Sequence, residues 1–396
     1  MASKVRYKIC HLLFEEFPSD PRIRRYVNAL TESGIYSIII CSKTKNESFF
    51  EQYHGNLVYR IPISKHRQSF FLTFLEYIGF TFITSFLLIF LGIKYRFKII
   101  HSNTLPDFLI IAAIFNKIFG AKLILDLHEL FPEIFAARRP HLAGSFYIKI
   151  LKFQENLSIK LADIVITIHE PAKQIFMNRN KHLEEKIYIV MNGVDENEFK
   201  ITRREKTDKF IIIYNGAIVK LWSLPLIIHS LKILKSSMPP EDFNKIIFKI
   251  YGRGPDLDNI LNTSKELSLS EKVSYEGVLS HGKMSDEILK ADVCVLPCIK
   301  NIYTDLFYSI KLIEMLYLKI PVIATRLNTY KYYYSEDSLF YFDSGNETEL
   351  AEKIKEVFYS PEIVKNKTEN AYREYKNLSW NAMKERYLKI IGALLQ

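Results

Sequence analysis

Cysteine is scarce in this chain. The four present, Cys10, Cys41, Cys294 and Cys298, show no CxxC spacing and have no histidine pairs beside them, which argues against a zinc module or a disulfide scaffold. Cys10 and Cys294 stand in apolar runs that read as core strands, so buried reduced thiols of a cytosolic protein are expected. Long blocks of one charge are also missing. The net charge of +10 is spread over 396 residues without five like charges in a row, and no DNA- or RNA-binding motif is present. A nucleic-acid partner is therefore not expected; anionic small molecules or an anionic lipid surface suit the charge better. The N-terminal apolar run in MASKVRYKICHLLF is too short for a signal peptide and leads straight into a strand.

What the chain does have is alternation. Apolar strand-like runs alternate with helical patterns throughout, which predicts a parallel α/β architecture of about two domains. In the first half, strands are expected near residues 7–14, 36–41, 57–61, 99–101, 122–126, 164–168 and 187–191. A second series is expected near 210–214, 246–251, 273–276, 293–296, 322–324 and 339–342. Residues 196–209, ENEFKITRREKTDK, are charged with almost no apolar content and read as a linker. The domains are then residues 1–200 and 201–378. A helix follows over 379–396, opened by Ser379 as N-cap, which either completes the second domain or crosses back to the first. Two Rossmann-like halves of this kind take ligands beyond the carboxyl ends of their strands, in the cleft between them.

One long apolar run exists, residues 70–93, with Glu76 its only charge. By hydropathy it is a transmembrane candidate. Its place between two strands fits a crossover helix instead, either wholly buried or with its outer face bedded in a lipid headgroup region. The last reading is preferred, because Lys65, His66 and Arg67 precede it and Lys94, Arg96 and Lys98 follow it.

The most informative stretch is residues 305–325, DLFYSIKLIEMLYLKIPVIAT, which reads as loop, helix and buried strand. Ser309 is placed to cap the helix, and Lys311 and Glu314 share one of its sides. A lysine in a first helical turn opposes the helix dipole, which points to an anion nearby, and a carboxylate one turn on suits ribose hydroxyls. A solvated Lys–Glu pair is the plain alternative. Asn215-Gly216 after one strand, Gly252 and Gly254 after another, and Gly277-Val278 after a third are turns that serve the fold or let a ligand approach the backbone. The tyrosines at 330, 332, 333 and 334 read mainly as packing.

Taken in order, these motifs resemble the retaining glycosyltransferases of the GT-B fold, glycosyltransferase family 4 (group 1). The resemblance spans DPRIRRYVNAL (20–30), HSNTLPD (101–107), AKLILDLHELFPE (121–133), ADIVITIHE (162–170), NGVD (192–195), YNGAI (214–218), YGRGP (251–255), YEGVLSHGKM (275–284), ADVCVLP (291–297) and SIKLIEMLYLKIPVIA (309–324). It implies that Glu314 is the second glutamate of an E-x7-E motif and holds the ribose, and that Lys311, in an S-x-K-x-x-E pattern after Ser309, binds the diphosphate. It implies His128 at the reacting face of the donor sugar and Gly216 under the phosphates. Gly252 and Gly254 would form the nucleotide-side turn, Val278 and Leu279 would meet the base, and Asn192, Gly193 and Asp195 would enter the hinge.

The chain also departs from the pattern. Leu306 stands where the first glutamate belongs, with Asp305 one place off. Ala217 replaces an arginine, and the usual lysine falls at Trp222, with Lys220 nearby to take its part. The glycine-rich N-terminal loop is replaced by FEEFPSDPR (14–22), where Arg22 or Arg24, with Glu129 of the DLHE motif, would face the acceptor.

The resemblance implies transfer of a sugar from a UDP- or GDP-sugar to a hydroxyl with retention, by a front-face route, without a cofactor. No Asp-x-Asp metal motif is evident, so metal independence is expected. With the apolar run, the acceptor is expected to be a lipid-linked glycan of bacterial surface polysaccharide assembly, reached from the inner face of the cell membrane. Two other readings stay open: a non-catalytic scaffold or partner-activating subunit, and a sugar-nucleotide 2-epimerase.

Overall fold

The computed structural model describes residues 7–44, 46–63, 70–180, 183–194, 199 and 207–396. Lys65, His66, Arg67, Asp195 and most of the expected linker lie outside the described residues. The chain forms two compact units, Met1–Asn192 with Asn381–Gln396, and Gly193–Trp380. The C-terminal helix (Trp380–Leu395) therefore belongs to the first unit except for its first residue.

The first unit is built on an eight-stranded sheet. Its strands are β1 (Ile9–Leu12), β2 (Ser37–Ser42), β3 (Phe50–Tyr53), β4 (Asn56–Ile61), β5 (Ile99–Asn103), β6 (Lys122–Leu127), β7 (Ile164–Thr167) and β8 (Ile187–Ile189). They lie in the order β3-β4-β2-β1-β5-β6-β7-β8, parallel except for the β3–β4 hairpin. Strands β1, β2, β5 and nearly all of β6 are buried on both faces, so they read as continuous apolar runs rather than alternating ones. β3 has no such run: FEQY alternates half-buried and exposed at the sheet edge, so nothing in its composition announces it.

The apolar run becomes one helix, Phe70–Tyr95, between β4 and β5. Phe80, Thr84, Leu88 and Leu91 form a buried stripe at helical spacing. Phe82, Phe86, Phe90 and Ile93 point outward and are 60–69% exposed. Only 22% of its most apolar window is buried, which rules out the wholly buried core helix. The helix is long and apolar enough to cross a membrane by length and composition. It joins parallel strands of one sheet, however, so crossing a bilayer would split that sheet.

The second unit carries six strands: β9 (Phe210–Ala217), β10 (Ile246–Arg253), β11 (Val273–Gly277), β12 (Val293–Leu296), β13 (Val322–Thr325) and β14 (Phe340–Phe342). Their order is β11-β10-β9-β12-β13-β14, all parallel. Its core packs Ile212, Phe248, Val293 and Ile323 of the sheet against Ile227, Leu231 and Leu234 of the Pro225–Ser237 helix. The order of connection reverses between β9 and β12, and a doubly wound sheet opens a crevice at such a point, beyond its carboxyl edge.

All four cysteines are buried and free, and burial raises each thiol pKa, to about 12 for Cys41 and about 11 for Cys298. Of the tyrosines, Tyr330 and Tyr334 are buried, with the Tyr334 hydroxyl 2.6 Å from that of Tyr308, while Tyr332 is exposed.

Candidate active site

At the carboxyl edge of the second sheet the backbone of β9 leaves the strand through Asn215-Gly216-Ala217. Gly216 has φ +133°, and a Cβ there would collide with the Lys311 side chain. Gly252, at φ +132°, lies against the Gly216 carbonyl oxygen, so any side chain at 252 would strike backbone. Gly254 abuts the Ile218 carbonyl in the same way. These glycines let two strand ends approach each other and leave room above them for the lysine.

Lys311 sits in the first turn of the Ile310–Tyr317 helix, between β12 and β13. Its Nζ donates to the Tyr214 hydroxyl at 2.7 Å and lies 4.3 Å from the Tyr214 ring centroid and 5.1 Å from that of Trp222. Lys311 makes no ion pair among the described residues. Desolvation lowers its pKa to about 8, against the opposing pull of Cys294 and Glu314. The ammonium is thus held by an aromatic cage and one hydroxyl, an arrangement that receives an anion. Glu314, one turn on and buried, accepts from Asn215 Nδ2 at 3.2 Å.

Ser309 does occupy the N-cap position, with extended backbone, but its side chain makes no capping hydrogen bond. Asp305 is held elsewhere: it accepts from the Asn328 backbone N–H at 2.7 Å and the Asn328 amide, and Lys300 Nζ lies 3.4 Å from it. Leu306 closes the same short 3-10 turn. Lys220 is exposed in the turn before Trp222 and forms no ion pair among the described residues. Val278 is exposed beyond the end of β11, with Leu279 half-buried beside it. One Asp-x-Asp does occur in the chain, Asp256-Leu257-Asp258, outside the motifs named above. It opens the Leu257–Glu266 helix, where Asp256 is buried and accepts from Asn259 at 3.3 Å.

In the first unit, His128 follows β6 with its side chain 17% exposed, and its Nδ1 lies 3.9 Å from Asp126 Oδ1. Arg22 is not open to an acceptor. It is buried, its Nε and Nη2 donate to Asp126 at 2.8 and 2.9 Å, and it also donates to Asn192 and the Val190 carbonyl. Arg24, on the same helix, is half-buried, whereas Glu129 is exposed at a cavity in this unit. The sequence reading missed Asp126, which also accepts from the Tyr26 hydroxyl at 3.0 Å and is held below the usual carboxylate range chiefly by Arg22, against its burial. His101 and His11 lie beside it with their rings tilted at 41° and 5.0 Å apart, and burial lowers the pKa of both, that of His101 to about 4. Tyr387 of the C-terminal helix stacks on Tyr26 and meets His101 Nδ1 at 3.2 Å.

Comparison with known proteins adds the family. The model of group 1 glycosyl transferases matches residues 195–374, and that of Glycosyltransferase Family 4 matches residues 22–198. No curated protein sequence matches. Solved structures do. Sucrose-phosphate synthase from Thermosynechococcus elongatus superposes with a TM-score of 0.74 at 16% identity, covering 98% of this chain and 99% of its own. Anabaena HepE in complex with UDP-glucose gives 0.65 at 13%, covering 97% and 99%. WaaG, a glycosyltransferase involved in lipopolysaccharide biosynthesis, gives 0.67 at 12%, covering 97% and 99%. These likenesses establish the fold, and the two family models together span residues 22 to 374. The chain belongs to the family 4, group 1 glycosyltransferases, on the GT-B fold.

Proposed function

We propose that this glycosyltransferase moves a sugar from a nucleoside diphosphate sugar to a hydroxyl of a lipid-linked glycan, with retention and without a metal. The observation that carries the donor part is Lys311: an ammonium with no anionic partner among the described residues, caged by Tyr214 and Trp222 above Gly216 at the edge of the sheet. A diphosphate placed there restores the missing counter-charge, and Lys311 stabilises it as the sugar leaves. Glu314, oriented by Asn215, accepts from the ribose hydroxyls. Gly252, Gly254, Val278 and Leu279 line the base side, and Lys220 supplies a second cation. The leaving diphosphate helps to deprotonate the acceptor while the protein positions both partners. His128 meets the donor sugar at its reacting face. HepE is solved with UDP and glucose, which makes UDP the first nucleotide to try.

The lipid part rests on the first unit. Besides the Phe70–Tyr95 helix, the short Ile114–Ile118 helix packed beside it and the Phe146–Leu161 helix of the same unit expose Ile118, Phe119, Phe146 and Phe153 at 68–75%. Lys94, Arg96 and Lys98 stand at its end around an open groove shared with Lys8. An apolar face rimmed by cations suits an anionic membrane surface, here the inner face of the cell membrane in polysaccharide assembly. Phe82→Asp with Phe86→Asp should release the protein from vesicles containing phosphatidylglycerol.

The non-catalytic reading rests on Asp305, whose carboxylate is held by Asn328 and Lys300 in a loop where the family carries a sugar-binding glutamate. A thermal-shift panel with UDP, GDP, ADP, CMP and dTDP on wild type and Glu314→Ala tests the donor site. A shift with one nucleotide, lost in the variant, supports the enzyme. No shift with any of them favours the scaffold, and conversion of the donor with no acceptor present would point to an epimerase.

A further inference from the structure

Within the first unit lies a cavity of about 540 Å³, within the range of ~300–1,000 Å³ that encloses a small organic ligand. It opens between the Phe70–Tyr95 helix, the loop after β6 and the Phe131–Arg138 and Phe146–Leu161 helices. Its chemistry is mixed in an ordered way. Asp107, Glu15 and Glu129 supply carboxyl groups, Tyr77 a hydroxyl, and Arg138 and Arg139 cations. Asp107 is the decisive residue. It is 3% exposed, its Oδ1 has no hydrogen-bond partner, and burial aided by Glu155 and Glu129 holds it well above the usual carboxylate range. A buried polar atom without a partner has lost its water and gained nothing for it, so a ligand that satisfies it gains affinity. A neutral carboxyl can donate and accept at once, which suits a hydroxyl better than a charged group.

The walls are aromatic. Phe14 meets Tyr77 edge-on at 4.9 Å, and Phe74 meets Phe108 at 6.4 Å. Arg138, exposed at the end of its helix, has no ion pair among the described residues, and Arg139 lies over the Phe135 ring at 4.7 Å. Phe74 both lines the cavity and is 45% exposed on the outward face of the long helix, so the pocket runs into that apolar surface.

We propose that this cavity is the acceptor subsite and takes a sugar joined by a phosphate link to an apolar chain. The carboxyls and Tyr77 meet sugar hydroxyls, Arg138 and Arg139 meet the phosphate, and the chain leaves along Phe74 and the long helix. The proposal rests on the lipid-linked-acceptor reading above and gives that reading its residues.

The test measures binding to the full-length protein by calorimetry. Its probes are farnesyl diphosphate, farnesyl diphosphate bearing N-acetylglucosamine, octyl N-acetylglucosaminide and inorganic pyrophosphate. Arg138→Gln, an exposed change that leaves the fold intact, should weaken both farnesyl probes about tenfold, the worth of one charge-assisted hydrogen bond, and leave the octyl glycoside unchanged. Asp107→Leu should weaken the two sugar-bearing probes and spare farnesyl diphosphate. The nucleotide-induced thermal shift, a readout of the second unit, should persist in both variants. Wild-type binding of all four probes in both variants, with that shift intact, would overturn the cavity assignment and leave the glycosyltransferase reading standing. No binding of any farnesyl probe to the wild type would also overturn it. Pyrophosphate bound as tightly as the sugar-bearing farnesyl probe would make the site one for free phosphate. Loss of the nucleotide shift in the wild type itself would instead strike the donor reading.

Discussion

The carboxyl edges of the two sheets are organised in opposite ways. In the first unit the charged groups at the end of β6 are paired within the fold: Asp126 takes two hydrogen bonds from Arg22 and one from Tyr26, and nearby Tyr387 meets His101, while both ring nitrogens of buried His11 on β1 lack a partner. In the second unit the edge holds glycines and a lysine whose ammonium meets a hydroxyl and two rings, with no ion pair among the described residues. One edge is closed by its own charges and the other waits for a charge from outside. The same architecture therefore carries a self-paired charge cluster in one half and, on the function proposed above, an anion site in the other.

The largest effect should come from breaking the closed edge. Asp126→Asn leaves the Arg22 guanidinium buried without its counter-charge and should cost about 3–5 kcal/mol, read by denaturant unfolding of the first unit. If stability were unchanged, the pair would not be holding that edge. At the open edge, Lys311→Met should lower turnover about 10²–10³-fold. It should leave melting unchanged or slightly raised, because the ammonium is desolvated in the free protein. A variant as active as wild type would remove Lys311 from the mechanism. Gly252→Ala should destabilise the second unit by about 1–3 kcal/mol, since its Cβ meets the Gly216 carbonyl. A neutral result would mean that the two strand ends can part without cost.

The two edges should also respond to opposite ends of the pH scale. Buried His101 has its pKa depressed from 6.5 to about 4. Between those values the unfolded chain binds a proton that the folded chain refuses, so stability of the first unit should fall as pH drops through that window. His101→Gln should flatten that decline, measured as melting temperature against pH. Lys311 titrates at about 8 in the free protein, and an anion binds its charged form. Affinity for a nucleoside diphosphate should therefore weaken above pH 8, by up to about tenfold per pH unit, and Lys311→Met should abolish that slope.

Much of this was legible along the chain because buried parallel strands are written as apolar runs. The other strands of the second unit fall where such runs stand, whereas β11, VSYEG, also lies where a strand was expected but is a half-exposed edge strand, and the long apolar segment does become a crossover helix. The edge strand β3 was not legible, since a half-exposed hairpin needs no apolar run. Ser309 shows the limit of local rules: a serine in the right place did not make the cap its position predicts. Arg22 shows it more sharply, because a helix-start arginine reads as a surface cation until Asp126, 104 residues away, is brought against it.

By itself the sequence determined the alternation of strands and helices, the two-unit α/β class, and the family motifs around Lys311 and Glu314. These are local patterns or short spacings, set by periodicity and turn chemistry. Only the tertiary structure decided that Arg22 is buried on Asp126, that Asp305 is held by Asn328, and that Tyr214 holds Lys311. Only it decided that Asp107 faces a cavity beneath an apolar helix. Each of these depends on residues far apart in the chain meeting at one end of a sheet or between helices. Which groups then lose water, and which find partners there, follows from packing that no local pattern records.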